Sequence, residues 1–146
     1  MTVDVFIQDI VKIQDYLRTD FTEDVMVVGS KDLSVSIGNR VEETGELASG
    51  NKGFYKSNSY KQKRAEKGLQ TSYKDYSFTR EMWSWFGITK RENLKVTLGG
   101  NTRTGQDKIN WNSKTEIIIN PNQQELEDLV HFVEAKLTEY INQTLV

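Results

Sequence analysis

Few side chains in this sequence could carry out catalysis, and their spacing does not support it. The chain holds one histidine, His131, and no cysteine. The lack of cysteine excludes a thiol nucleophile and a thiolate zinc site, and His131 has no partner at the spacing of a triad or a metal site. We interpret His131 as a boundary residue beside an apolar helix stripe. The chain is therefore predicted not to be an enzyme, with no catalytic or metal-binding residue and no cofactor.

Two short stretches resemble catalytic motifs but differ from them in position. Residues 45–52, GELASGNK, resemble a phosphate-binding loop. Their lysine comes one residue late, however, and neither a hydroxyl residue nor a helix pattern follows it. Residues 134–136, EAK, hold the Glu-x-Lys fragment of some nucleases, but they lie in a predicted helix instead of on a strand that follows an aspartate. Neither stretch supports a catalytic assignment.

Charge is unevenly distributed along the chain. Residues 1–48 carry a net charge of −6, residues 49–80 carry +6, and residues 81–146 carry −2. Concentration of like charges on one segment usually marks a surface that meets a partner. We name residues 49–79 the basic segment.

The basic segment mixes lysines with aromatic side chains, and three interpretations of this pattern stay open. Such a mixture binds single-stranded nucleic acid by neutralising phosphates and stacking on bases. It also suits docking on an acidic protein surface, including that of an identical subunit, and it occurs in solvated loops. We favour a protein interface. The predicted partner-binding residues of the segment are Tyr60, Lys61, Lys63, Arg64, Lys67, Tyr73 and Tyr76.

A second group of candidate residues is aromatic. Trp83, Trp85 and Phe86 lie close together in a stretch that reads as a short helix over residues 80–87. Large aromatic side chains on such a helix either anchor the core or form an interface hot spot. We include Trp83 and Trp85 among the candidate partner-binding residues, with both roles open.

Hydrophobic periodicity predicts the elements that must position these residues. Apolar residues at three- and four-residue spacing predict a helix over residues 3–18 that packs on a sheet, and a second helix from Asn122 to near the C-terminus, with Glu125 completing a capping box. Alternating patterns predict a hairpin of residues 25–28 and 33–37 around a turn at Gly29, and further strands at 94–98, 109–111 and 117–119. Within the basic segment, only residues 59–67 tolerate a short helix.

Together these elements predict an α+β fold in one domain, residues 1–146. The sheet is mostly antiparallel, the N-terminal and C-terminal helices pack on it, and the basic segment forms a long arm or loop between strands. The composition, 36% hydrophobic and 27% charged, fits a globular chain. The start of the sequence lacks the pattern of a signal peptide, and no stretch approaches the roughly 18 apolar residues of a membrane span.

The middle of the chain resembles a known family. Residues 60–68, YKQKRAEKG, followed by residues 75–82, DYSFTREM, are similar to a pattern in virion-morphogenesis and tail-completion proteins of tailed bacteriophages. In that family a tyrosine- and lysine-rich stretch leads to a "DL..TG.M" motif and then to a sheet. Arg80 stands where the family has glycine, and the ending before the last helix is reduced to residues 120–122.

The resemblance implies a structural virion protein. Its role would be that of a subunit of the neck, or head–tail connector, in a ring that joins portal or head-closure proteins to the tail. Its partners would be identical subunits and neighbouring phage proteins, and it would be made in the host cytoplasm and retained in the virion. The alternative is a nucleic-acid-binding module that uses the basic segment.

Overall fold

The predicted α+β class with an antiparallel sheet is confirmed. The computed structural model describes residues 3–77, 81–114 and 117–145, and in these ranges helices flank a two-stranded antiparallel sheet. The elements are α1 (Val3–Thr19), a π-helical turn (Thr22–Met26), α2 (Val27–Thr44), α3 (Asn58–Glu66), α4 (Glu81–Ser84), β1 (Phe86–Glu92), β2 (Lys95–Gly100), α5 (Arg103–Asn112) and α6 (Gln123–Thr144).

The hairpin predicted for residues 25–37 is wrong, because this stretch is helical. The alternating residues Leu33, Val35 and Ile37 also satisfy a helical repeat, since Leu33 and Ile37 are four apart. In α2, Ile37 and Val41 are fully buried while Val35 is exposed. Burial of one helical face therefore outweighs the strand preference of β-branched residues, which depends on context.

Gly29, which we expected in a turn, lies where α2 crosses α6. A Cβ atom at this position would lie 2.7 Å from Leu129 Cδ1 and 3.0 Å from Phe132 Cδ1. The two helices thus approach closely because this residue has no side chain.

The sheet is smaller than predicted. β1 and β2 pair from Phe86↔Gly100 to Glu92↔Lys95, with an irregularity next to Thr89. The strand predicted at 94–98 is confirmed within β2, whereas β1 was not predicted. The strand predicted at 109–111 is wrong: these residues lie in α5, whose first turn is capped by the Thr102 hydroxyl. Residues 117–119 form a turn and not a strand.

The short helix predicted at 80–87 is present only as α4, and Arg80 lies outside the described residues. The core lies between α2, the sheet, α4 and α5. Its buried apolar residues are Ile37, Val41, Leu47, Met82, Phe86, Ile109 and Ile118.

The predicted cap of α6 is confirmed. The Asn122 side chain accepts the Glu125 N–H at 2.8 Å, and the Glu125 carboxylate accepts the Asn122 N–H at 2.8 Å. The same carboxylate accepts two hydrogen bonds from the Arg40 guanidinium, at 2.9 and 3.2 Å. This pair ties α2 to the start of α6.

Helix α1 is present as predicted, but most of its apolar stripe is not covered. Its C-terminal end packs on α6, where the Tyr16 and Tyr140 rings stack with centroids 3.7 Å apart. Towards the N-terminus Val3, Phe6 and Ile7 of the predicted stripe are exposed, so the expected burial of this part of the stripe is wrong.

Candidate functional site

The basic segment is folded around a buried arginine. Arg64 projects from α3 and is fully buried. Its guanidinium donates hydrogen bonds to the Gln70 carbonyl at 2.8 Å, the Ser77 carbonyl at 3.0 Å and the Asp75 carboxylate at 2.6 Å. Three charge-assisted bonds satisfy the group in a setting where an unpaired charge would be very costly.

Asp75 is the other half of this polar cluster. One carboxylate oxygen accepts the Tyr55 hydroxyl at 2.8 Å and the Ser77 N–H at 2.9 Å. The other accepts the Gln70 amide at 2.9 Å as well as Arg64. We name Tyr55, Arg64, Gln70, Asp75 and Ser77 the polar cluster. It gives the segment a fixed shape without an apolar core.

Tyr55 titrates abnormally in this cluster. Burial and its hydrogen bond to the Asp75 carboxylate raise the pKa of Tyr55 well above its ordinary value of 10.0. The Arg64 guanidinium lies over the Tyr55 ring, 4.7 Å from its centroid, and its charge opposes that increase. The neutral phenol is therefore the form that the fold holds.

Two further contacts tie the basic segment to the rest of the fold. The Trp83 indole N–H donates to the Asp75 carbonyl at 3.0 Å, and the ring meets Phe86 edge-on. The Tyr73 hydroxyl donates a hydrogen bond to the Glu43 carbonyl at the end of α2. These contacts give Trp83 and Tyr73 internal roles.

The predicted partner-binding residues therefore divide into two groups. Arg64 cannot bind a partner as predicted, because its guanidinium is fully buried. Lys63 and Lys67 are exposed on α3. The remaining predicted residues are half-buried, and they are Tyr60, Lys61, Tyr73, Tyr76, Trp83 and Trp85.

The basic segment also contains an exposed aromatic residue, Phe54, that was not among the predicted partner-binding residues. Phe54 is 61% exposed, and it lies between exposed Lys52 and Lys56 in a segment outside the helices and strands. The residues between them, Gly53 and Tyr55, are half-buried. This alternation with a period of two places the two cations and the ring on one edge. The sequence carries that alternation, but the surrounding lysines and tyrosines obscure it.

A groove between α2 and α6 was not predicted either. Its apolar wall is formed by Leu33, Leu129 and Phe132, and the exposed carboxylates of Asp32 and Asp128 also line it. The cavity volume is about 260 Å³, which lies below the roughly 300–1,000 Å³ of small-molecule sites.

The described part of the chain offers little else for chemistry. No group of three described His, Asp or Glu side chains is arranged to hold a metal ion, and His131 is exposed on α6. None of the helices in the described ranges is both long and apolar enough to cross a membrane.

Comparisons with known protein families, curated proteins and solved structures found no match for this chain.

Proposed function

We propose that this chain is a structural protein that works by assembly with further copies of itself. The observation that carries the proposal is the apolar face of α1, where Val3 is 74%, Ile7 is 54% and Val11 is 48% exposed. These residues are four apart and lie on one face of the helix. Contiguous apolar faces on monomers usually mark interaction sites.

Burial of this apolar face against another copy is energetically favourable. Full burial of an exposed Val, Ile or Phe side chain contributes about 1.5–3 kcal/mol. Phe6 and Ile10 extend the same face and are each more than a third exposed. Partial burial of the whole set against another copy therefore contributes several kcal/mol towards association, which offsets part of the translational and rotational freedom lost on binding.

The specific form of the assembly follows from the resemblance of residues 60–68 and 75–82 to phage tail-completion proteins. In this proposal the chain is a neck ring subunit that joins portal or head-closure proteins to the tail of a tailed phage. It is made in the host cytoplasm and retained in the virion.

The test is a double substitution on the exposed face, Ile7→Asp with Val11→Asp. Two carboxylates cannot be buried against a neighbour without a large desolvation penalty. Size-exclusion chromatography with light scattering should show oligomers for the natural chain and monomers for the variant. The control is Val35→Asp, at a 60% exposed position on α2, which should assemble normally. Unchanged assembly of the double variant would contradict the proposed role of α1.

One observation favours the alternative of nucleic-acid binding, namely the exposed edge of Lys52, Phe54 and Lys56. Cations beside an exposed ring can bind phosphates and stack on a base. The hydroxyls of Tyr55 and Tyr73, in contrast, are used in internal hydrogen bonds. Salt-sensitive retardation of single-stranded DNA, lost in Phe54→Ala, would support this alternative.

A further inference from the structure

The groove between α2 and α6 has the chemistry of a binding site for a basic apolar segment. Its wall of Leu33, Leu129 and Phe132 can contact a ring, and the exposed Asp32 and Asp128 can contact cations. A volume of about 260 Å³ accommodates one aromatic side chain.

The chain itself carries a segment with the complementary pattern. Phe54 projects between Lys52 and Lys56 on one edge of the basic segment. The backbone of this edge is held on its own subunit by two backbone contacts. Lys52 forms an antiparallel β-bridge with Glu46, and the Lys74 N–H donates a hydrogen bond to the Gly53 carbonyl at 2.7 Å. The edge is thus presented in a fixed conformation, which lowers the entropy lost on binding.

We propose that the edge formed by Lys52, Phe54 and Lys56 in one copy docks in the α2–α6 groove of the next copy. Phe54 enters between the helices, and the two lysines contact Asp32 and Asp128. This inference rests on the proposed self-assembly and names the contact that directs it.

The contact joins two different surfaces, so it is heterologous. Each copy uses its basic edge towards one neighbour and its groove towards the other. Repetition of such a contact gives a closed ring where the rotation closes. The apolar face of α1 supplies further buried area, while the edge and the groove fix which surfaces meet, because opposite charges favour one register.

The experiment uses two charge-reversed variants of the full chain. In the first, Lys52→Glu and Lys56→Glu reverse the edge; in the second, Asp32→Lys and Asp128→Lys reverse the groove. Each variant alone places like charges together, so the dissociation constant for self-association should rise by about tenfold or more. An equimolar mixture restores opposite charges at both contacts and should associate as the natural chain does.

Matched controls separate this contact from general charge and hydrophobicity effects. The variant with Lys90→Glu and Lys95→Glu has the same net charge as the edge-reversed variant, but its changes lie on the sheet. It should associate as the natural chain does. Phe54→Ser should weaken association, whereas Trp111→Ser, at a 69% exposed aromatic residue on α5, should not. Sedimentation equilibrium measures all of these dissociation constants.

The outcomes distinguish the two proposals. Weakening by each reversal and recovery in the mixture would support the edge-in-groove contact. If the natural chain associates but the reversed variants associate equally well, this contact is refuted while self-assembly stands. If the natural chain stays monomeric, both proposals are refuted. Binding of single-stranded DNA through the same edge, without self-association, would identify the edge as a nucleic-acid site instead.

Discussion

At the residue scale, Arg64 and Asp75 hold the basic segment in place. Both side chains are buried, and their ion pair is supported by hydrogen bonds to carbonyl, amide and hydroxyl groups. Removal of one partner of such a pair leaves a buried charge without compensation, which costs more than the pair itself contributes. The partner-binding role that we predicted for Arg64 is therefore replaced by a structural one.

Arg64→Ala should lower the free energy of unfolding by about 3–5 kcal/mol, because the buried Asp75 carboxylate would lose its ion-pair partner. Lys63→Ala, at the exposed neighbouring position on α3, should stay within about 0.5 kcal/mol of the natural chain. Denaturant unfolding followed by circular dichroism measures both values. Equal stability of the two variants would show that the polar cluster does not hold the segment.

Tyr55 gives the polar cluster a signature at high pH. Because the fold raises the pKa of Tyr55 above 10.0, the unfolded chain loses this proton first as the pH rises. The contribution of Tyr55 to stability is thus complete below about pH 10 and declines above it. The free energy of unfolding should fall more steeply above pH 10 in the natural chain than in Tyr55→Phe. Parallel slopes would contradict the assigned hydrogen bond.

At the element scale, two patterns that depend on neighbours in the sequence were predicted correctly. The capping box of Asn122 and Glu125 was identifiable because both partners lie within one turn, and helix α1 because its repeat is long. Helix α2 was missed, since its alternating residues fit two periodicities and only burial against β1 and α6 decides between them.

The folded state of the basic segment could not be predicted for a related reason. Its stability comes from a polar cluster whose members are up to 22 residues apart in sequence, from Tyr55 to Ser77. Apolar periodicity carries no information on such contacts. Likewise, the exposure of Phe54 and the groove beside Gly29 depend on how the helices cross.

A comparison of Gly45 and Gly50, which follow α2, distinguishes the effect of backbone strain from that of packing. Gly45 and Gly50 both have positive φ angles, of 68° and 80°, so alanine is strained at either position. A Cβ at Gly45 would also lie 2.8 Å from the Tyr73 Cβ and Cγ atoms, whereas at Gly50 it meets nothing within 4 Å. Gly45→Ala should therefore lower the melting temperature more than Gly50→Ala. The reverse order would contradict the packing of Tyr73 on α2.

At the scale of the whole molecule, most of the charged side chains that make the basic segment positive remain exposed after folding. Arg64 and Asp75 neutralise each other inside, while exposed Lys52, Lys56, Lys63 and Lys67 keep the basic segment positive. The groove between α2 and α6 carries the opposite charge. A molecule with this distribution, and with an uncovered apolar face on α1, is suited to contact with copies of itself.

The central claim, that the chain assembles with itself, is tested most directly by sedimentation velocity of the natural chain over a concentration series at low and at high salt. We predict a discrete oligomer whose fraction increases with protein concentration. High salt should lower that fraction, because exposed charges are screened beyond about 8–10 Å. A single monomeric species at every concentration and salt level would contradict the account.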